Sequence, residues 1–238
     1  MSTKRILFFT VVLAINFSTI FGHGRVRDPA HRGHAWREGF DTPIDWNDTS
    51  NFCGGFSTQW IQNGGKCGLC GDNYAEKQPR KNENGGVYGT GTIVRTYQVG
   101  SDINVTVELT ASHLGHFEFS LCPLKSGDEL ETEECFDAHR LELATGGLKY
   151  TKVDGVGLYD IKLLLPKNVV CDHCVFRWHY RTGNNWGVCE DGHGALGCGR
   201  QETFRTCSDI KIVILVGPGR PDLRACVHRW RCRVTIGR

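Results

Sequence analysis

Five segments of this chain alternate apolar and polar residues, and this pattern most limits the folds that it can adopt. Their apolar positions are Val105, Val107 and Leu109; Phe117, Phe119 and Leu121; Tyr159, Ile161 and Leu163; Phe176, Trp178 and Tyr180; Ile210, Ile212 and Ile214. Because successive side chains of a strand point to opposite faces, each segment predicts a strand with one buried face. No long segment carries a clean helical period. We therefore predict an all-β fold, an antiparallel β-sandwich of the immunoglobulin or fibronectin III type.

The first 22 residues have the pattern of a secretory signal peptide. Lys4 and Arg5 are basic, residues 6–21 are apolar, and Gly22 is a small residue at the expected cleavage position. Cleavage there would leave a chain that begins at His23. No second apolar stretch approaches the roughly 20 residues that span a bilayer. We therefore predict a secreted, extracellular protein without a membrane span.

The rest of the chain divides by charge into a domain and a tail. Residues 217–238 contain six arginines and one aspartate, and residues 217–219 and 220–221 are Gly-Pro-Gly and Arg-Pro breakers. We predict one domain over residues 23–216 and a basic tail over residues 217–238. The tail could attach the protein to acidic polysaccharide or to a cell surface, or it could have no role.

Twelve cysteines in a secreted chain predict disulfide bonds. Ten lie in the main body and two in the tail: Cys53, Cys67, Cys70, Cys122, Cys135, Cys171, Cys174, Cys189, Cys198 and Cys207, then Cys226 and Cys232. The two Cys-x-x-Cys pairs could instead bind zinc, but an oxidising compartment and a separation of a hundred residues favour disulfides. Connectivity stays open. Residues 41–83 should be disulfide-pinned loops with room for short helices.

Two tripeptides match the acceptor motif for N-glycosylation. They are Asn47-Asp48-Thr49 and Asn104-Val105-Thr106. Both are candidates if the source is eukaryotic, and either can go unused.

A histidine at a mature N-terminus can chelate a metal ion through its amine and its ring. His23 would offer both groups, and His113, at the end of the predicted strand 103–110, would add another imidazole. Three nitrogen ligands suit copper, and affinity should fall in acid because the amine must lose a proton to bind. A histidine after a strand is more often a surface or hydrogen-bonded residue, so the spacing alone does not establish the site.

Several other side chains could have a functional role, and each also has a purely structural interpretation. His116 could approach the metal but more often such a residue faces solvent. His31 and His34 lie near the new N-terminus as outer-sphere or surface groups. Trp36 and Trp186 could stack on sugar rings, although we predict that both are buried. Aspartates and glutamates show no interpretable glycosidase pair.

Several spaced motifs, in order, resemble animal-type lytic polysaccharide monooxygenases. This group is auxiliary activity family fifteen, whose domain is often labelled chitin-binding type-4. The motifs are His23-Gly24 with Pro29, Arg32 and Trp36-Arg37-Glu38-Gly39-Phe40; Cys53-Gly54-Gly55; Cys67-Gly68-Leu69-Cys70-Gly71-Asp72; Thr110-Ala111-Ser112-His113; Phe117-Glu118-Phe119; the run over residues 171–180; Gly183-Asn184-Asn185-Trp186-Gly187; Gly197-Cys198-Gly199; Gln201-Glu202-Thr203-Phe204-Arg205; and Cys207-Ser208-Asp209-Ile210. The resemblance covers residues 23–215.

The resemblance implies a copper site called a histidine brace. His23 would bind copper through its amine and Nδ1, and His113 through Nε2. Ala111 matches the small residue beside the open axial face. Phe204 stands at the other axial position, where it cannot ligate, and Glu202 resembles the outer-sphere group that positions a bound oxygen or peroxide. The catalytic set implied is thus His23, His113, Phe204 and Glu202.

The implied activity is oxidative cleavage of glycosidic bonds in chitin or cellulose, with chitin slightly ahead. The resemblance implies one copper ion, reduced by an external reductant, that would activate hydrogen peroxide or dioxygen to abstract a hydrogen from a sugar carbon. The partner would be crystalline polysaccharide rather than nucleic acid, and we expect a monomer. One alternative is a non-catalytic polysaccharide-binding extracellular protein. A weaker one is copper storage or delivery.

Overall fold

The computed structural model describes residues 23–214. The predicted signal peptide, the basic tail, Cys226 and Cys232 lie outside this range. The strands are β1 (His23–Asp28), β2 (Arg95–Gln98), β3 (Asp102–Ala111), β4 (His116–Pro123), β5 (Glu142–Leu143), β6 (Gly157–Leu164), β7 (Cys171–Arg181), β8 (Trp186–Val188), β9 (Gly194–Leu196) and β10 (Thr203–Val213). The helical elements are a 3-10 turn (Ala35–Glu38), a π-helical turn (Thr58–Gln62) and α1 (Glu133–Ala138).

The strands form two four-stranded sheets and a small hairpin, which confirms the predicted β-sandwich. One sheet has the order β1-β3-β6-β5 and the other β2-β10-β7-β4, while β8 pairs with β9. Among the described strands, every pair is antiparallel except β2 and β10, which run parallel. Parallel neighbours need a long connection rather than a hairpin, and here more than a hundred residues separate the two strands.

The alternating segments bury the side chains that the pattern selects, with one exception. Phe117 lies at the centre, with its ring centroid 5.4 Å from that of Trp178 and 5.0 Å from that of Tyr180, both in T-shaped contacts. Ile214, which we expected to continue the buried face of β10, is 57% exposed. The strand ends one residue earlier, where Val213 pairs with the last residue of β2, so Ile214 lies beyond the last pair of the described sheet.

Five disulfides connect all ten cysteines of the described range. The pairs are Cys53–Cys67, Cys70–Cys207, Cys122–Cys135, Cys171–Cys174 and Cys189–Cys198. Cys67 and Cys70 are bonded to different partners, so the two Cys-x-x-Cys motifs do not form a zinc site. As expected, the segment 41–83 is loop with one short helical turn, held by Cys53–Cys67 and tied to β10 by Cys70. Within the described residues, no helix is long and apolar enough to cross a membrane.

A buried ion network fixes the chain beyond β1 to the second sheet. Arg32 is 3% exposed and donates two hydrogen bonds to Asp209 of β10, at 2.9 and 2.7 Å. It donates another to Glu131, at 2.7 Å. Nε2 of His173 in β7 lies 2.7 Å from Oδ1 of Asp209. These contacts compensate for burying the charges and join four distant parts of the sequence.

The free energy of unfolding should fall in acid because of Asp209. Burial alone would raise the pKa of this carboxyl, but Arg32 and His173 outweigh that effect and lower its pKa to about 2. A carboxyl with a lowered pKa contributes stability above its unfolded pKa near 4, and this contribution, about 2 kcal/mol, disappears as the pH falls to 2. Denaturant unfolding at pH 5, 3 and 2 measures it.

The test variant is Asp209→Asn. The control is Asp102→Asn, which removes an exposed carboxyl at the start of β3. Asp209→Asn should flatten the loss between pH 4 and 2, and Asp102→Asn should keep the wild-type slope. A wild-type slope in Asp209→Asn would contradict the assignment.

Candidate metal centre

The pairing of β1 with β3 brings His23 next to the segment that carries His113. His23 pairs with Ala111 and Gly24 with Leu109, so Thr110 is an extra residue in a β-bulge. The hydroxyl of Thr110 donates to the carbonyl of His23 at 3.3 Å. The register therefore places His23 opposite Ala111, two residues before His113.

Gly24 explains why a glycine follows His23. A Cβ atom at this position would lie 2.5 Å from the Leu109 side chain and 3.0 Å from the Trp178 ring. Its backbone N–H also donates to the carbonyl of Thr49 at 3.1 Å. The start of β1 thus rests directly on the core, which fixes the direction of the preceding residue.

His113 lies in the short turn that crosses from β3 in one sheet to β4 in the other. Its N–H donates to the hydroxyl of Tyr180 at 3.0 Å, and its carbonyl accepts from the N–H of Gly183 at 2.8 Å. Leu114 and Gly115 follow with positive φ angles of 56° and 90°. A side chain at Gly115 would meet the Arg181 carbonyl, 2.1 Å from its Cβ, so the turn needs glycine there.

Glu202 faces the ring of His113. Its Oε2 lies 3.2 Å from Nδ1 of His113, and both residues are 8% exposed. A carboxylate at Nδ1 favours the tautomer with the proton on that nitrogen and leaves the Nε2 lone pair for a metal. The family resemblance implies that Glu202 positions a bound oxygen species, and the structure adds this direct contact with the candidate ligand.

Phe204 is buried on the same side of the fold. It is 1% exposed, and its ring stacks on Tyr180 at a centroid distance of 5.7 Å. Phe52 lies against it at 6.1 Å. Tyr180 thus connects Phe204 to the backbone of His113. A phenyl ring supplies no ligand atom, so Phe204 can only pack and exclude water.

A polar surface cavity of about 460 Å³ opens beside His23. Its walls include Asp45, Asn47, Asn51, Asp72, Asn73 and Tyr88. Burial raises the pKa of the Asp72 carboxyl to about 6. Carboxylates and amides offer hydrogen bonds to hydroxyl-rich ligands. Asn47, one of the two glycosylation candidates, belongs to this wall.

Three other histidines that the sequence singled out make their contacts elsewhere. Nε2 of His116 lies 3.0 Å from Glu118. His31 and His34 are buried, which excludes the surface position, one of the two alternatives that the sequence left open for them. Nδ1 of His34 lies 2.9 Å from Asp48, and burial lowers the pKa of His31 to about 3. Both pack behind β1 as structural residues.

The expected burial of the two tryptophans is only partly right. Trp36 is half-buried and donates to the carbonyl of Asp45 at 3.2 Å. Trp186 is 68% exposed, which contradicts the prediction. It lies on the β8–β9 hairpin, whose outer face is open to solvent.

Sequence reasoning missed Tyr180 and Gly183 as supports of His113. Its alternation with Trp178 predicts only that Tyr180 belongs to the core. Its hydroxyl also accepts a hydrogen bond from the backbone N–H of His113. No pattern in the sequence reports a side-chain bond to backbone 67 residues away.

Comparison with known proteins points to one family. The model of the family described as "Lytic polysaccharide mono-oxygenase, cellulose-degrading" matches residues 23–210. A solved structure of a lytic polysaccharide monooxygenase AA15 from Thermobia domestica, in the Cu(I) state, is 47% identical. The match covers 80% of this chain and 98% of that one, with a TM-score of 0.78. No curated protein matches the sequence. The family match spans every residue of the candidate centre.

Proposed function

Because this chain belongs to the lytic polysaccharide monooxygenases, which are copper-dependent enzymes that act on polysaccharide, we propose that it oxidatively cleaves crystalline chitin or cellulose with copper held by His23 and His113. The bound metal supplies the redox chemistry, with an external reductant and hydrogen peroxide or dioxygen as co-substrates. The protein's own residues supply the ligands, their orientation and the surface that meets the polymer.

The observation that carries this proposal is the β1–β3 register together with the contact between Glu202 and His113. The register pairs His23, the potential N-terminal residue, with Ala111, which lies two positions before His113. The carboxylate leaves Nε2 of the second histidine available for a metal. An amine and two imidazoles form a nitrogen donor set that suits copper, so the residues present fit this metal.

Each neighbouring residue has a separate role in this scheme. Glu202 holds the proton on Nδ1 of His113, while Tyr180 and Gly183 fix the backbone of that histidine. Phe204 excludes water from one side without binding, and Ala111 leaves space opposite His23. The metal ligands are thereby oriented before any substrate arrives, which lowers the cost of reaching the reactive arrangement.

The scheme requires that the mature chain begin at His23. Only cleavage between Gly22 and His23 frees the amine that would complete the site. We propose that the protein is exported, processed at this bond, and works as an extracellular monomer. The basic tail would then add electrostatic attraction to acidic polymers near the substrate.

The test is mass spectrometry of the soluble products released from chitin and from cellulose. The mature protein, loaded with copper and given a reductant, should release oxidised oligosaccharides from at least one polymer. Tight copper binding without oxidised products from either would support copper storage or delivery instead. Polysaccharide binding without copper affinity would support the non-catalytic alternative.

A further inference from the structure

The first of the two glycosylation motifs lies in a turn at the surface. The turn spans residues 46–49, and Asn47 is exposed. The backbone N–H of Asn47 donates to Oδ1 of Asp45 at 2.9 Å, and its carbonyl accepts from the N–H of Ser50 at 2.8 Å. Both bonds use only the backbone of Asn47, so its side-chain amide can carry a modification without disturbing them.

The middle residue of the motif, Asp48, fixes this turn to the body of the protein. It is 2% exposed. Its carboxylate accepts hydrogen bonds from Arg25 at 2.7 Å and from Arg37 at 2.8 Å. A buried carboxylate with two cationic partners holds its segment firmly, because breaking the contacts would leave buried charges unpaired. The position of Asn47 is therefore fixed as well.

The same turn is bonded to the start of β1. The carbonyl of Thr49, the third residue of the motif, accepts from the N–H of Gly24 at 3.1 Å. Asn47 and His23 both line the polar cavity of about 460 Å³. A group attached to Asn47 would therefore stand beside the candidate metal centre.

An exposed indole directly precedes Asn47. Trp46 is 73% exposed, although its ring makes a T-shaped contact with that of Trp36 at a centroid distance of 4.9 Å. The guanidinium carbon of Arg37 lies 4.3 Å from the centroid of Trp36 and 5.8 Å from that of Trp46. The indole is held in place while most of its surface stays in water. A ring held in this way loses little conformational freedom when a partner covers it.

We propose that Asn47 carries an N-linked glycan whose first N-acetylglucosamine rests on the indole of Trp46, beside the metal centre. Consecutive Cα atoms lie about 3.8 Å apart, so a sugar on the Asn47 amide lies within reach of the preceding side chain. The apolar C–H face of the sugar ring would cover the indole, and its hydroxyl groups would stay in water. The inference rests on the export that the proposed function requires.

The modification is a transfer from a lipid-linked oligosaccharide, the donor of the secretory compartment. The amide nitrogen of Asn47 forms a bond to C1 of the first sugar, and the bond between that carbon and the lipid pyrophosphate breaks. The amide loses one proton, and the lipid pyrophosphate leaves with the electron pair. No oxidant or reductant is consumed. The product is a bulky, hydrophilic group at the surface.

The first test is mass spectrometry of the peptide that contains Asn47, from protein secreted by eukaryotic cells. The wild type should carry N-acetylhexosamine and hexose on this peptide, and a peptide N-glycosidase should remove them and convert Asn47 to aspartate. Asn47→Gln and Thr49→Ala should both lack the glycan. Thr49→Ser, which keeps the acceptor motif, should retain it.

The second test measures the contact between the sugar and the indole through the midpoint of thermal unfolding. Covering one face of an indole removes some 50–60 Å² of apolar area from water, so Asn47→Gln should lower the midpoint by about 2–5 °C. In a Trp46→Ala background the same substitution should lower it by less than about 1 °C, because the partner of the sugar is gone. Trimming the wild-type glycan to its first sugar should leave the midpoint unchanged.

Two further variants control for indirect effects. Trp46→Phe keeps an aromatic surface, so Asn47→Gln should again lower the midpoint in that background. Asn104→Gln removes the second acceptor motif, on β3, where Asn104 is exposed and pairs with Lys162. Its effect on the midpoint should be the same with Trp46 and with Trp46→Ala.

Secreted protein with an unmodified Asn47 would overturn the inference, and the proposed function would still stand on the oxidised products of the wild type. A glycan at Asn47 whose loss lowers the midpoint equally with Trp46 and with Trp46→Ala would overturn the contact with the indole. A chain that stays inside the cell, with residues 1–22 attached and no glycan, would overturn the proposed export together with this inference.

Discussion

Replacement of His113 by alanine is expected to abolish oxidised products from polysaccharide and to weaken copper binding by more than about 100-fold. Loss of an outer-sphere partner alone typically lowers metal affinity 10- to 100-fold, and loss of a direct ligand should lower it more. The imidazole would be one of three nitrogen ligands, and no other histidine of the described range replaces it. The fold should persist because His113 lies in a turn whose hydrogen bonds to Tyr180 and Gly183 use the backbone. Copper titration of the mature protein measures the effect directly.

The matched control is His116→Ala, three residues along the chain. This side chain lies 3.0 Å from Glu118 and has no place in the proposed site, so copper affinity and product yield should stay at the wild-type level. Unchanged copper affinity in His113→Ala, or an equal loss in His116→Ala, would contradict the assignment of the second ligand.

The largest expected effect on stability comes from Arg32→Met. Methionine fills similar volume but leaves the carboxylates of Asp209 and Glu131 buried without their shared cation. Breaking a buried ion pair by removing one partner costs about 3–5 kcal/mol, a large fraction of the stability of a domain. Guanidinium unfolding should therefore show a midpoint shifted strongly to lower denaturant.

Arg27→Met provides the comparison, because Arg27 forms only a partly exposed ion pair with Glu38 at 3.9 Å. Its loss should change the free energy of unfolding by less than about 1 kcal/mol. If Arg32→Met also stayed within that range, the network would not have the structural role that its burial indicates.

The sandwich could be predicted from the sequence because its buried faces follow the strand period. Phe117, Trp178 and Ile210 are core residues selected by alternation alone, and each is fully buried. The parallel position of β2 could not be predicted. Its pairing with β10 depends on how the long loop before it folds, and no local pattern records this.

Disulfide connectivity could not be predicted for the same reason. Cys70 lies three residues after Cys67, yet its partner is Cys207, 137 residues away. The exposure of Trp186 was also missed. Aromatic residues are more often buried, and only the contact of its ring with Gly194 shows why this one stays at the surface.

The candidate site was predictable from family resemblance rather than from spacing. His23 followed from the predicted cleavage position and His113 from its place after a predicted strand, while the resemblance gave both their roles and added Ala111, Glu202 and Phe204. The structure shows how the fold brings their elements together. Three features that support the site are tertiary contacts: the β-bulge at Thr110, the hydrogen bond of the Tyr180 hydroxyl, and the close packing of Gly24 on the core. They are visible only once the two sheets are packed.

The central claim is that the amine of His23 completes the copper site, and a one-residue difference at the N-terminus tests it most directly. Two forms would be prepared, one beginning at His23 and one retaining Gly22, and both would be titrated with copper and assayed for oxidised oligosaccharides. The form that begins at His23 should bind copper tightly and release oxidised products, and the form with Gly22 should do neither. Equal copper affinity and equal product yield from the two forms would contradict the account.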